Sequence, residues 1–280
     1  GMGAVGCARS HQMPFNPVDV RPVRTARERR LFLAFPWRVY RDDPLWVPPL
    51  VGEHRTIMDP ARGSFFKHGT AEFFLAWRDG RVVGRIAAGE DTAVTPTRPA
   101  DAREGVWGFF ESFDDWEVAK ALLDRARAWC RERGLARMAG PFYLEREDCY
   151  GILVEGRDRP PVLLCGHTPP YYQSFVERYG GVPDPMESLA FEVRLDEDSK
   201  EWENVGRMAD RIRKRGWITL RTPDIRHWRD EVPVVKELLD KALAHLPGAT
   251  PWQPETVEAL VRKFLRIADL DLILFAMIEG

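Results

Sequence analysis

The sequence predicts a mixed α/β (α+β) fold, with a central mixed sheet flanked by helices. Three observations predict it. Two β-rich runs, AEFFLAWRDG and RVVGRIAAGED, meet at Asp79-Gly80, a strong hairpin signal. A strand-like run, GVWGFFESF, follows at 105–113. A capped amphipathic helix then starts at Asp114, with Ala119, Leu122, Leu123, Ala126, Trp129 and Cys130 at helical spacing.

The remaining elements are read in chain order. Val18 to Thr25 predicts a first strand, and Ala26 to Arg41 a helix with a break at Pro36. A short helix is expected from Val51 to Met58, and a loop from Thr92 to Glu104. Asp114 and Glu117 read as a capping box for the long helix, and Gly134 as its stop. LARMAGPFY predicts a buried strand, and LEREDCYG a polar loop that leads into ILVEG. Pro169-Pro170 open a helix with Tyr172, Phe175, Val176 and Tyr179 on its apolar face. SLAFEVRL predicts a last strand, and Trp202 to Arg215 a helix with Trp202, Val205, Met208, Ala209 and Ile212 inward.

From Trp217 the pattern restarts. VRPV at Val20 to Val23 matches LRTP at Leu220 to Pro223, and FFLAWRDG ending at Gly80 matches ILFAMIEG ending at Gly280. Both matches carry an offset of 200 residues, and each half places two helical stretches between them. The expected organisation is therefore a tag remnant and flexible N-terminus at 1–17, a first domain at 18–195, a linker helix at 196–216 and a partial second module at 217–280.

Composition excludes several classes. Among the 280 residues, 30% are charged with a formal net charge of −2, so no strong overall field favours nucleic acid or an anionic membrane. No apolar run approaches the ~20 residues needed to span a bilayer, and the start has no apolar signal core. Four cysteines without a CxxC pair read as reduced thiols, and the six histidines form no HxH or HExxH. The expectation is a cytoplasmic protein with no metal, no membrane partner and no nucleic-acid partner; the oligomeric state is left open.

The ordered elements of 18–195, with the hairpin RDGRVVGRIAA, the strand GVWGFFESF and the helix beginning VAKALLDRA, resemble the GNAT superfamily of CoA-dependent N-acyltransferases. The resemblance implies a GNAT-like module, possibly in tandem, using acetyl-CoA or another acyl-CoA to acylate a small-molecule amine. It places the cofactor near Phe109, Phe110, Asp114, Asp115 and Ala119. There the sequence departs from the family. The anion-receiving turn, Gln/Arg-x-x-Gly-x-Gly/Ala, is replaced by Asp114, Glu117 and Ala119, and the carboxylates compete for the helix N-terminus.

The resemblance also implies a tyrosine on the last helix that protonates the leaving thiolate. In FVERYGG that position is Val176, with Tyr171 and Tyr172 as nearby substitutes and His167 near the family's Asn position. Glu145, Glu147 and Asp148 in the polar loop are candidates to take the amine proton. The catalytic set is thus Glu145, Tyr171 and Tyr172. The substrate cleft is expected between the fourth and fifth strands, lined by Trp107, Gly108, Gly140, Phe142 and Tyr143, where the glycines would let a ligand approach. Two alternatives accompany this reading: a non-catalytic ligand-binding or interaction protein of the same fold, and an aminoacyl-tRNA-dependent transferase.

Overall fold

The structure is a computed structural model, and it describes residues 16–145, 151–162, 165–184, 187–192, 200–246 and 249–278. The expected tag remnant, up to residue 15, lies outside these residues. The chain divides into two compact units. The first comprises Gly1–Met58, Thr70–Asp91 and Thr95–Val182; the second comprises Asp59–Gly69, Thr92–Val94 and Pro183–Gly280.

The first unit holds a five-stranded mixed sheet in the order β1-β2-β3-β4-β5. Its strands are β1 (Asp19–Pro22), β2 (Gly69–Arg78), β3 (Arg81–Asp91), β4 (Glu104–Ser112) and β5 (Arg137–Phe142). Asp79 at φ 51° and Gly80 at φ 71° make the tight turn between β2 and β3, where two consecutive left-handed residues match the strand twist. β3 and β4 pair antiparallel, as the hairpin and GVWGFFESF predict, while β4 and β5 pair in parallel. A parallel neighbour needs a crossover, and α4 (Trp116–Glu132) supplies it.

Helix α4 lays Val118, Ala119, Leu122, Leu123, Ala126, Trp129 and Cys130 on one face of the sheet, where Phe74, Ile86, Trp107 and Phe110 complete the core. Helices α1 (Ala26–Ala34), α2 (Pro36–Val39) and α3 (Val51–Ile57) also belong to this unit. Pro36 sits at the first position of α2, where its missing N–H costs nothing, so the proline starts a helix as well as ending one. Helix α5 (Tyr171–Tyr179) ends at Gly180, whose φ of 93° is the left-handed cap that a glycine makes cheaply.

Three expectations are corrected. The cap of α4 is Asp115, which accepts from the N–H groups of Glu117 and Val118; Asp114 stands outside the helix, exposed, and forms no capping box. Of SLAFEVRL, residues 188–192 are irregular, with Leu189 and Phe191 exposed, and the remainder lies outside the described residues. Finally, α6 (Lys200–Arg215) forms where periodicity places it, but Trp202, Val205, Met208 and Ile212 are exposed rather than inward.

The second unit contains α6, β6 (Ile218–Arg221), α7 (Trp228–Leu243), α8 (Pro254–Ile267) and β7 (Phe275–Ile278). β6 and β7 pair antiparallel, with Leu220 opposite Ala276 and Arg221 opposite Phe275. In the first unit Val20 lies opposite Ala76 and Arg21 opposite Leu75. Each of these pairs maps onto the other by adding 200 to both numbers, so the offset matches hold at the level of strand register. Arg221 and Glu231 then form a two-pronged ion pair at 2.6 and 2.8 Å within this unit.

Close approach of β4 and β5 depends on Gly108. A Cβ there would lie 1.5 Å from the Phe142 carbonyl oxygen. Gly108→Ala is expected to destabilise the chain by about 2 kcal/mol or more, since backbone must move. Gly206→Ala in α6, where a Cβ meets nothing within 4 Å, is expected to stabilise by about 0.5–1 kcal/mol. Urea unfolding of the two variants checks the opposite signs.

Candidate active site

The sheet face that α4 does not cover carries charge. Arg85 and Glu111 are register partners on β3 and β4, so their side chains share one face. Arg85 is fully buried and Glu111 nearly so, and a guanidinium nitrogen lies 3.5 Å from Glu111 Oε1. Arg85 also donates to the Phe32 carbonyl of α1 at 2.9 Å and lies over the Phe32 ring at 4.9 Å. These contacts hold the cation in place of water.

Glu111 gathers hydroxyls. Tyr172 donates to its Oε2 at 2.7 Å and accepts the Ser112 N–H at 2.9 Å. Burial raises the Glu111 carboxyl above its ordinary 4.5, against the opposing pull of Arg85, Tyr172 and Tyr40. Burial, and then the Glu111 charge, push the Tyr172 and Tyr40 hydroxyls well above 10.0. Tyr171 donates to the Ser112 carbonyl at 3.0 Å, and burial raises its hydroxyl too.

These tyrosines stand where β5 gives out. The last β4–β5 pair is Gly108 with Phe142, whereas β4 continues to Ser112. Past that pair Phe109 turns to φ 49°, and α5 offers two hydroxyls to Ser112 in place of a strand. β5 stays paired with β4 to its own last residue, Phe142, and aromatic side chains lie beyond that pair. Phe109 packs against Tyr143 at 4.8 Å, and Tyr143 against the buried His54 ring at 4.5 Å.

A second polar pair adjoins this network through Tyr40. The Tyr40 hydroxyl donates to the His167 carbonyl at 3.2 Å, and its ring stacks on Trp46 at 4.7 Å. His167 Nε2 lies 2.6 Å from Asp43 Oδ2. Burial opposes ionisation of Asp43, but bonds from His167 and from the Leu45 N–H hold its carboxyl below the ordinary 3.8. The His167 side chain is 5% exposed, and its Nδ1 has no hydrogen-bond partner among the described residues. A histidine fixed at one nitrogen, with the other uncommitted, is an arrangement that accepts a proton.

The expected site residues are therefore distributed as follows. Tyr172 and Tyr171 meet at the end of β4. Glu145 is buried beside Tyr143, to which it forms a short bridge, and Glu147 and Asp148 lie outside the described residues. Phe109 belongs to the aromatic group above, but Phe110 and Ala119 face the α4 core. Trp107 is buried, and a Cβ on Gly140 would lie 2.1 Å from its carbonyl oxygen. Gly108 and Gly140 thus admit neighbouring backbone rather than a ligand, which corrects their expected role. Arg85, Glu111, Tyr40, Asp43 and His167 were not in the expected catalytic set. A signal existed for the first two, since each is a lone charge inside an apolar β-run; the others are joined only by folding.

The α4 N-terminus does not fit a CoA pyrophosphate. Asp115 takes the N–H groups such an anion would use and pairs with Arg78. Among the described residues no group of three His, Cys, Asp or Glu is placed to hold a metal ion, and no helix is long and apolar enough to cross a membrane.

No protein-family model matches the chain. It is 34% identical over 276 residues to the bacterial ceramide synthase of Caulobacter vibrioides, covering 96% of this chain and 70% of that protein. It is 27% identical over 264 residues to Protein YghO of Escherichia coli K12, covering 93% of this chain and 65% of that one. Among solved structures it matches a ribosomal-protein-alanine N-acetyltransferase from Brucella melitensis biovar Abortus 2308. That match has 15% identity and a TM-score of 0.38, over 64% of this chain and 100% of the other. A score of that size carries no functional weight.

The raised Glu111 carboxyl sets a pH dependence. Folded Glu111 holds its proton to higher pH than the unfolded chain does. Its contribution is fully present below the ordinary 4.5 and lost as pH rises through the folded value. Glu111→Gln is expected to remove that decline; comparing urea midpoints of the two proteins across pH checks it.

Proposed function

The chain belongs to the family of the bacterial ceramide synthase of Caulobacter vibrioides, and we propose that it is an N-acyltransferase that acylates the amine of a long-chain amino alcohol. A ceramide is by chemical definition the fatty amide of such an amine. The observation that carries the reading is 34% identity sustained over 96% of the chain, which spans the whole polar network. This narrows the general amine acceptor expected from sequence to one class. The partial second module, with its repeated register, is part of the same reading.

In this reading the acceptor arrives as an ammonium and must lose a proton before its nitrogen can attack an acyl carbonyl. His167 takes that proton at Nδ1, and Asp43 holds the ring and balances the imidazolium charge. In the same reading Tyr172, kept protonated by burial beside Glu111, donates to the departing group. Arg85 balances Glu111 so that the carboxylate can orient this hydroxyl. No step is drawn through CoA, because the turn that would receive its pyrophosphate is closed.

The non-catalytic alternative draws on one observation: Phe109, Tyr143 and His54 pack together just beyond the end of β5. The buried polar network weighs against it, since polar and titratable groups buried without a task cost stability.

The test is direct. The chain, incubated with a long-chain amino alcohol and a fatty acyl thioester, is expected to form the amide, read by mass spectrometry. His167→Gln is expected to lower turnover about 10²–10⁴-fold. Absence of amide with the unmodified chain would overturn the reading, and unaltered turnover in His167→Gln would remove His167 from it.

A further inference from the structure

Within the first unit, Arg27 and Leu31 of α1, Arg38 of α2, Trp77 of β2 and Arg81 of β3 line a cavity of about 410 Å³. Three of its lining residues are arginines and none carries a carboxylate. Arg38 is held in place: it donates to the Val82 carbonyl at 2.8 Å and lies 5.4 Å from both the Phe35 and Phe113 ring centres. Arg27 and Arg81 are exposed and enter no ion pair among the described residues.

The chain as a whole is close to neutral, but this corner is not. Helix α1 reads ARERRLFLA, with Arg27, Arg29 and Arg30 against a single Glu28. Glu28 is committed, because it closes a capping box with Thr25 and takes the Arg24 and Thr25 N–H groups. The guanidinium groups of Arg27 and Arg81 therefore stand uncompensated beside the apolar walls of Leu31 and Trp77.

Another position in this unit that could hold an anion is the start of α4, and it is closed by Asp115. Asp115 is engaged twice, with the helix N–H groups and with Arg78, so an incoming phosphate would have to displace an internal carboxylate. At the arginine cavity nothing need be displaced except water. Guanidinium groups meet phosphate oxygens in paired hydrogen bonds, and a tryptophan beside them accommodates an organic portion.

We propose that this cavity is a phosphate site, which takes the phosphate groups of an amphipathic organic ligand. Two sources share that chemistry: a soluble nucleotide-bearing acyl donor and the headgroup of an anionic phospholipid. The proposal concerns binding alone, so it stands or fails separately from the acyl-transfer reading.

Two probes distinguish the sources. Free CoA is titrated calorimetrically into the full chain, and vesicles of phosphatidylcholine with or without phosphatidylglycerol are floated with it. The double variant Arg27→Gln/Arg81→Gln should weaken one of these associations roughly tenfold or more, through two lost charge-assisted contacts. Arg207→Gln/Arg211→Gln on α6, which removes the same charge elsewhere, should leave it unchanged. Because Arg27 and Arg81 make no ion pair, the thermal midpoint should stay within a degree or two of the parent's.

Loss of CoA binding alone assigns the site to a soluble donor, and loss of vesicle binding alone assigns it to a headgroup. The proposal is overturned if the unmodified chain binds neither probe. It is also overturned if the double variant binds both as well as the parent, or if the α6 control weakens binding equally.

Discussion

A buried charge has to be answered locally, and in the first unit that requirement falls on Arg85 and Glu111. They face each other across the central strands, one on β3 and one on β4, 3.5 Å apart and out of water. Removing either partner would leave the other uncompensated, at a cost of about 3–5 kcal/mol. The pair also organises what surrounds it. Arg85 reaches the Phe32 carbonyl and so fixes α1 on the sheet, while Glu111 receives Tyr172 and so fixes the first turn of α5. Tyr40 donates to the His167 carbonyl and so holds the His167 segment. One cross-strand pair thereby positions the groups assigned to chemistry.

Asp115 shows how a single carboxylate redirects a site. A helix start with free N–H groups attracts anions, and a small-residue turn leaves them free. Here the cap satisfies the helix internally and is itself neutralised by Arg78. The helix is well capped, and its N-terminus no longer offers a phosphate cradle. At the α1–hairpin corner Arg27, Arg38 and Arg81 line one cavity.

The two sheets illustrate how register follows from sequence spacing. Val20 opposes Ala76 and Leu220 opposes Ala276, with helical segments between the partners in both units. Equal spacing allows equal pairing, because a slip of one residue would turn every side chain to the other face. The exposed apolar side chains of α6 show the opposite case. Trp202, Val205, Met208 and Ile212 follow helical periodicity, yet nothing among the described residues buries them.

Local signals were enough for most elements of the fold. The Asp79-Gly80 turn, the apolar face of α4, the break at Pro36 and the stop at Gly180 all depend on neighbours in sequence, so the chain declares them without tertiary help. The strand expected at 188–195 is not formed at 188–192, since a strand needs a partner edge that sequence periodicity cannot supply. The site was half legible. Tyr171 and Tyr172 were visible as adjacent tyrosines at a helix start, and Arg85 and Glu111 stood out as charges in apolar strands. That Asp43 meets His167 across 124 residues, and Arg85 meets Glu111 across a strand pair, only the folded chain decided. Those contacts are fixed by burial and register, which are properties of the packed sheet and of no local stretch of sequence.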